Sequence, residues 1–419
     1  MILFRNARLI DPASGRDELA ALRVRDGLIA ETGALEPKDG EEVIDLKGAC
    51  LAPGLIDLRC WTKPGSSGRS GLEASARAAA AGGVTTLVLA PDSGSGLSAP
   101  EHFTAVEAAA LTSAVRLLPA GLLVDGRGEM GEIGLMLRAG GALIGDGGRP
   151  VADTRLLRRA LSYASVFETW IALRPEDPHL AADTVATESD LAMRLGLAAR
   201  PAESERIAIE RAAALSELTG AKLLFDRVTT QAGLSALQAA RKRGLELAAS
   251  APVTHFMFNE VDAGGFDARF RLEPPLRAEA DRDALIEALA QGLIDAVVSD
   301  HRACTGEAKG HPFPDAEPGS ASLEALLPAL CTLAADGRMS LCEALRPVTA
   351  GPAELLDLPQ GRVAPGAPAD LVAFDPDAPM VYGRDGLACA APSAFEGRRL
   401  FGRVLITLVE GATIVQPER

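Results

Sequence analysis

Gly83-Val84-Thr85-Thr86-Leu87-Val88-Leu89-Ala90 is a short apolar run with no charged residue, and the alanine-rich stretch Leu72–Ala81 stands just before it. A half-buried strand alternates apolar with polar residues. A run that is apolar throughout instead suits a strand buried on both faces, as in a parallel sheet covered by helices. The same kind of run recurs at Leu55–Leu58, Val115–Leu118, Ala142–Ile144, Trp170–Leu173, Lys222–Phe225, Leu245–Ala249 and Ala296–Ser299. Helical patterns lie between them at Thr154–Tyr163, Glu203–Leu218, Gly233–Lys242 and Arg282–Gly292. Eight such strands alternating with helices predict an α/β fold, a closed (β/α)8 TIM barrel rather than an open doubly wound sheet.

The two ends of the chain read differently. Met1–Ile10, Leu22–Val24 and Leu28–Glu31 are short strand patterns separated by Asp11-Pro12-Ala13-Ser14-Gly15 and by an Asp26-Gly27 turn. Asp370–Phe374, Gly402–Val409 and Thr413–Val415 repeat that style near the other terminus. The expected organisation is a small β-sandwich built from residues 1–52 and 365–419, with the barrel over residues 53–364.

Composition narrows the classes of function. Hydrophobic residues make up 47% and charged residues 24%, ordinary for a globular chain. The 42 Lys+Arg against 57 Asp+Glu leave a net charge of -15, which disfavours nucleic acid and anionic membrane as partners. The 6 cysteines are scattered with no CxxC pair, which fits reduced thiols in a cytoplasm. There is no long apolar run, no Gly-x-Gly-x-x-Gly and no Walker-type loop. Ser93–Ser98, though rich in Gly and Ser, reads as a loop at a strand end.

Ala52-Pro53-Gly54-Leu55-Ile56-Asp57, followed by Ala78–Ala90, resembles the opening of the dihydroorotase, hydantoinase and allantoinase branch of the amidohydrolases. Gly148-Arg149-Pro150-Val151, Leu218-Thr219-Gly220-Ala221, Glu273-Pro274-Pro275-Leu276-Arg277, Ile294–His301 and Gly361-Arg362-Val363-Ala364-Pro365-Gly366 are similar to dihydroorotase segments in the expected order. The resemblance covers essentially the whole chain. It implies a zinc enzyme acting on a cyclic amide, in which the metal activates a water and polarises the carbonyl.

That resemblance also implies a ligand set, and here the chain departs from it. The family's His-x-His on the first barrel strand is Arg59-Cys60-Trp61, and the histidines ending strands five and six are Arg174 and Arg227. Asp146 on strand four and Asp300 on strand eight remain, the latter followed by His301. The degenerate metal positions are therefore Arg59, Trp61, Asp146, Arg174, Arg227 and Asp300, and no metal or other cofactor is expected. Residual catalytic candidates are Asp300 and His301; substrate-facing candidates are Lys63, Asp92, His255 and Glu273. His255 and His301 read first as polar residues lining the mouth, and Trp61 as a plug for the lost site. A new metal site from His179, His255 and His301 is disfavoured, because they fall at loop tips without ligand spacing.

Arginine is permanently cationic and suits carboxylates. Arg59, Arg174 and Arg227 are accordingly expected to serve as counter-ions for Asp146 and Asp300. The leading expectation is a catalytically inactive dihydroorotase-like protein of pyrimidine biosynthesis, acting as a structural subunit with aspartate transcarbamoylase in a homo- or hetero-oligomer. Two alternatives stand beside it: an active dihydroorotase or related cyclic amidohydrolase with an atypical metal site, and an anion-binding protein without activity.

Overall fold

A computed structural model describes residues 1–62, 68–93, 96–383 and 386–416. Its centre is a parallel barrel whose strands are Leu55–Trp61, Val84–Leu89, Arg116–Leu122, Leu143–Gly145, Trp170–Leu173, Lys222–Phe225, Leu247–Pro252 and Ala296–Val298. Each pairs with the next in chain order. Beyond Asp300 the last strand resumes as His301–Arg302, which pairs in parallel with Cys60 and Trp61 of the first. The two ends of the hydrogen-bonded path are thus two parts of one strand, and the barrel is closed.

Each barrel strand is short because only its central residues meet apolar neighbours on both faces. One core layer takes Ile56, Val88, Ala120, Leu143, Ala172, Leu224, Ala248 and Ala296 from the eight strands and fills the barrel interior. Leu87, Leu117, Ile144, Ile171, Leu223, Leu247 and Val297 lie in a second cluster with the helices, among them Glu203–Thr219, Gln231–Arg241 and Glu279–Ala290. The filled interior leaves room for polar groups only at the strand ends.

Apart from the short parallel pair Ala186–Thr187 and Ala199–Arg200, the remaining strands come from both termini. Their order runs from Ala412–Val415 through Arg399–Val409, Leu371–Val381, Cys50–Pro53, Ile2–Asp11 and Arg16–Arg25 to Leu28–Gly33, with Glu42–Asp45 alongside Ile2–Asp11. Phe4, Leu9, Leu22, Ile29, Leu51, Leu371 and Leu408 close on one another as its separate core. This is the β-sandwich expected at the termini, with Glu42–Asp45 and Cys50–Pro53 as further strands. Gly54 joins the two parts. Its amide donates to the Asp370 carbonyl at 2.8 Å, and a side chain there would collide with Thr85, 2.2 Å from where its β-carbon would stand.

Candidate functional site

The carboxyl ends of the barrel strands carry charge where the family would carry a metal. On the first strand the register shifts between Asp57 and Cys60, so the alternation of side chains breaks there and Arg59 turns into the mouth. Asp57 lies beneath it, fully buried, and accepts from the Ser299 amide at 3.0 Å, the Ser299 hydroxyl at 2.5 Å and the Arg59 amide at 3.2 Å. These bonds tie the first strand to the eighth. Burial pushes the Asp57 carboxyl up to about 7.

Above Asp57 stands an alternating square of two guanidiniums and two carboxylates. Arg59 Nε reaches Asp300 Oδ1 at 3.0 Å, and Arg59 Nη1 reaches Asp226 Oδ2 at 3.2 Å. Arg227 Nε meets the same Asp226 oxygen at 3.2 Å, and its Nη1 meets Asp300 Oδ1 at 3.1 Å. Each charge in the square has two opposite neighbours. Burial alone would raise the Asp226 carboxyl, but Arg59 and Arg227 outweigh it and hold it low. Burial also opposes the charge on Arg227, and Asp300 and Asp226 more than restore it. Arg227 (φ 71) and Asp300 (φ 46) are both in the left-handed region, a strained backbone that the surrounding contacts must hold.

A second network adjoins the first. Arg174 and Arg200 each pair with both Glu176 and Glu273, and Arg271 lies 3.6 Å from Glu273. Burial would raise the Glu273 carboxyl, yet Arg174 and Arg200 drive it well below the usual range. The networks touch where Arg227 Nη1 donates to the Glu273 carbonyl at 2.8 Å.

Asp146 stands outside both. Its Oδ1 accepts from the Gly148 amide and its Oδ2 from the Arg174 amide, each at 2.9 Å. Among the described residues no guanidinium forms an ion pair with it. The counter-ion set expected for Asp146 and Asp300 is thus corrected in two respects. Asp226 takes the place assigned to Asp146, and Arg174 turns to the glutamates instead. The reason is geometric: main-chain N–H groups already occupy both Asp146 oxygens. Burial pushes the Asp146 carboxyl up to about 6.

The other candidates fall in different places. Trp61 lines the mouth, donates from Nε1 to the Asp92 carbonyl at 3.1 Å, and carries the Arg302 guanidinium 4.2 Å over its ring. Asp92 approaches Arg59 at 3.6 Å. His301 is buried, with Nδ1 accepting from the Ser322 amide at 3.2 Å, and burial takes it down to about 4. His255 is buried against the Pro275 carbonyl at 3.1 Å, and burial takes it down to about 3. His179 and His311 are exposed on loops, so the histidines do not converge. Lys63 lies outside the described residues.

These side chains do not suit zinc. Arginine stays protonated and has no lone pair to offer, and indole offers none through its N–H. Among the described residues no group of three or more His, Cys, Asp or Glu could hold a metal ion. What the mouth does offer is a cavity of about 290 Å³, lined by Arg59, Trp61, Arg149, Arg174, Arg227 and Arg302 together with Asp92, Glu273 and Asp300. Asp226, Glu176, Arg200 and Arg271 were not singled out from sequence. The acidic residue next to Arg227 was the available signal for Asp226. Arg200 sits in the two-residue strand Ala199–Arg200 and had none.

Residues 65–415 match the amidohydrolase family. The chain is 35% identical to a dihydroorotase-like protein of Pseudomonas aeruginosa over 415 residues, covering 98% of each. It is 33% identical to a dihydroorotase of Solibacter usitatus, covering 98% of this chain and 97% of that one. Among solved structures, an L-hydantoinase from Arthrobacter aurescens has the same fold, with a TM-score of 0.88 at 22% identity over 99% of this chain and 96% of that one. With these likenesses added to the closed barrel and its charged mouth, the chain belongs to the amidohydrolase family, beside proteins named dihydroorotase and dihydroorotase-like.

Proposed function

We propose that this chain is a dihydroorotase-like protein of pyrimidine biosynthesis that has lost the hydrolytic reaction and acts as a structural subunit with aspartate transcarbamoylase in the cytoplasm. The observation that carries this reading is the alternating square of Arg59, Asp226, Arg227 and Asp300. Fixed guanidiniums fill the positions of metal ligands, and they neutralise Asp300, one of the two carboxylates left at those positions. The likeness to a dihydroorotase-like protein along the full chain supports it. So does the fully kept fold, which an assembly role requires and a discarded enzyme would not.

A second reading, a working cyclic amidohydrolase with an atypical site, is favoured by the likeness to proteins named dihydroorotase and by the two strand-end carboxylates Asp146 and Asp300. One experiment separates the two. Metal analysis of the purified protein is followed by dihydroorotate hydrolysis at neutral pH, with and without added zinc. The proposal expects less than stoichiometric zinc and no turnover above the uncatalysed rate. Zinc near one equivalent with turnover overturns it in favour of the second reading. The assembly part is tested by size-exclusion chromatography of the chain mixed with aspartate transcarbamoylase from the same organism; two separate peaks at micromolar concentrations overturn that part.

A further inference from the structure

The helix Thr154–Ala164 on the outside of the barrel has two faces. Leu157, Ala160, Leu161 and Ala164 are buried against the barrel, while Arg155, Arg158 and Arg159 stand on the outer side. None of these arginines has an ion-pair partner among the described residues. The acid at the start of the helix, Asp153, accepts instead from the amides of Arg155 and Leu156. Arg211 reaches the same end from the helix Glu203–Thr219, donating to the Val151 and Ala152 carbonyls. This end is basic within a chain of net charge -15.

Toward its other end the outer surface turns apolar and then acidic. Tyr163 is 43% exposed and Val166 74%, and the exposed Glu168 follows. Leu135, 48% exposed, comes alongside from the helix Ile133–Arg138. Gly134 is what lets that helix approach: a β-carbon there would lie 2.7 Å from Phe167 Cζ and 2.9 Å from Tyr163 Oη. Phe167 in turn holds the Tyr163 ring edge-on, with centroids 5.3 Å apart. Glu132 and Arg138 flank Leu135, both exposed and without an ion pair among the described residues. Single exposed apolar side chains are common on a protein surface. A fixed group of them, bounded by unpaired charge of both signs, marks a surface that meets another protein.

We infer that this face is an interface between two copies of the chain, packed with their Thr154–Ala164 helices antiparallel about a two-fold axis near Tyr163. A two-fold contact needs a surface complementary to itself. The order base, apolar, acid along one helix meets that condition, because reversing it sets acid against base. Tyr163 stands between Arg159 and Glu168, four residues from one and five from the other. At about 1.5 Å per residue both lie roughly 6–8 Å from the axis, so Arg159 of one copy falls opposite Glu168 of the other. An unrelated partner would have to bring acids to the arginines and a cation to Glu168; a second copy brings both by symmetry. Net charge opposes the approach of two such chains, so short contacts hold the pair.

Sedimentation velocity of the full chain alone, from micromolar to tens of micromolar, tests it. The expected result is a reversible dimer. R159E and E168R each weaken it about tenfold or more. The double variant R159E/E168R, with the signs exchanged, returns to within about threefold of wild type. V166D, which sets a charge beside the axis, gives monomer. The three positions are exposed, so unchanged urea midpoints are expected and show that the variants fold. A monomeric wild type across this range overturns the inference. So does a dimer indifferent to R159E and V166D, which places the contact elsewhere, and so does a double variant no tighter than its two singles. No other protein is present, so the outcome is separate from whether the chain assembles with aspartate transcarbamoylase.

Discussion

Asp300 and Asp146 end barrel strands on two sides of the same mouth, and the protein treats them in opposite ways. Asp300 shares Arg59 and Arg227 with Asp226, so its charge is met by charge. Asp146 has two main-chain N–H groups and, among the described residues, no guanidinium partner, and it lines a neighbouring cavity of about 500 Å³. A carboxylate buried in such a mouth can be accommodated in two ways: beside a fixed cation, or as a group that takes up a proton more readily. The square is the first and Asp146 the second. Amide donors stabilise the anion, but at this depth they do not offset burial, and the carboxyl rises to about 6.

The comparison breaks most sharply at Arg227. Arg227→Ala leaves Asp226 and Asp300 facing only Arg59, and it strips the donor from the Glu273 carbonyl. Removing one member of a buried ion pair costs about 3–5 kcal/mol, because the partner stays behind uncompensated. The expected outcome is a urea midpoint lowered by that energy divided by the slope, with the slope unchanged. A loss below about 1 kcal/mol would mean that solvent, not arginine, carries the charge of Asp300.

Asp146 provides the next test, through pH. Its folded carboxyl titrates near 6, above the unfolded value of about 3.9. Between those values the folded state binds more protons than the unfolded state, so this group's contribution to stability falls as pH rises from 4 to 6. The whole drop is about 3 kcal/mol at most. His255 and His301 have the opposite sign: both are depressed by burial, so they lose stability as pH falls from 6.5 toward 4. The raw profile therefore mixes both trends, and the difference between wild type and Asp146→Asn isolates one. Asparagine does not titrate, so the variant should gain on wild type as pH rises from 4 to 7. Urea midpoints at four pH values measure it, and a difference independent of pH would place Asp146 in a solvated setting.

Much of this was legible in the sequence, for reasons that can be named. The barrel strands are apolar on both faces, so runs such as Val84–Leu89 stand out without any partner being known. Glu42–Asp45 and Cys50–Pro53 were not legible, since four residues are too few to show a period and their pairing is long-range. The arginines at strand ends could be found because the resemblance to dihydroorotases implies a ligand at each of those strand ends. Which acid each one meets could not. Asp226 rather than Asp146 completes the square because Gly148 and Arg174 turn their amides toward Asp146, and main-chain direction in a loop leaves no mark on residue spacing. Arg200 reaches Glu176 and Glu273 from a two-residue strand, beyond the alternation that revealed the barrel.

The smallest effect is expected at the rim, where the contrast between closed and open charge is finest. Arg302 stacks 4.2 Å over Trp61 and pairs with Glu317 at 3.2 Å, but it is about a third exposed, at 32%. Water screens that ion pair, and a stacked guanidinium at an exposed site contributes about 0.5–1 kcal/mol. Arg302→Gln should cost no more than that, several times less than the same kind of change at Arg227. Trp61 fluorescence gives an independent reading, since the variant removes a cation from the indole face while the Nε1–H bond to the Asp92 carbonyl remains. A shift in emission with little change in midpoint is expected. A loss as large as that of Arg227→Ala would make the rim part of the square's own network. Stability would then follow the number of arginines in the mouth rather than their burial.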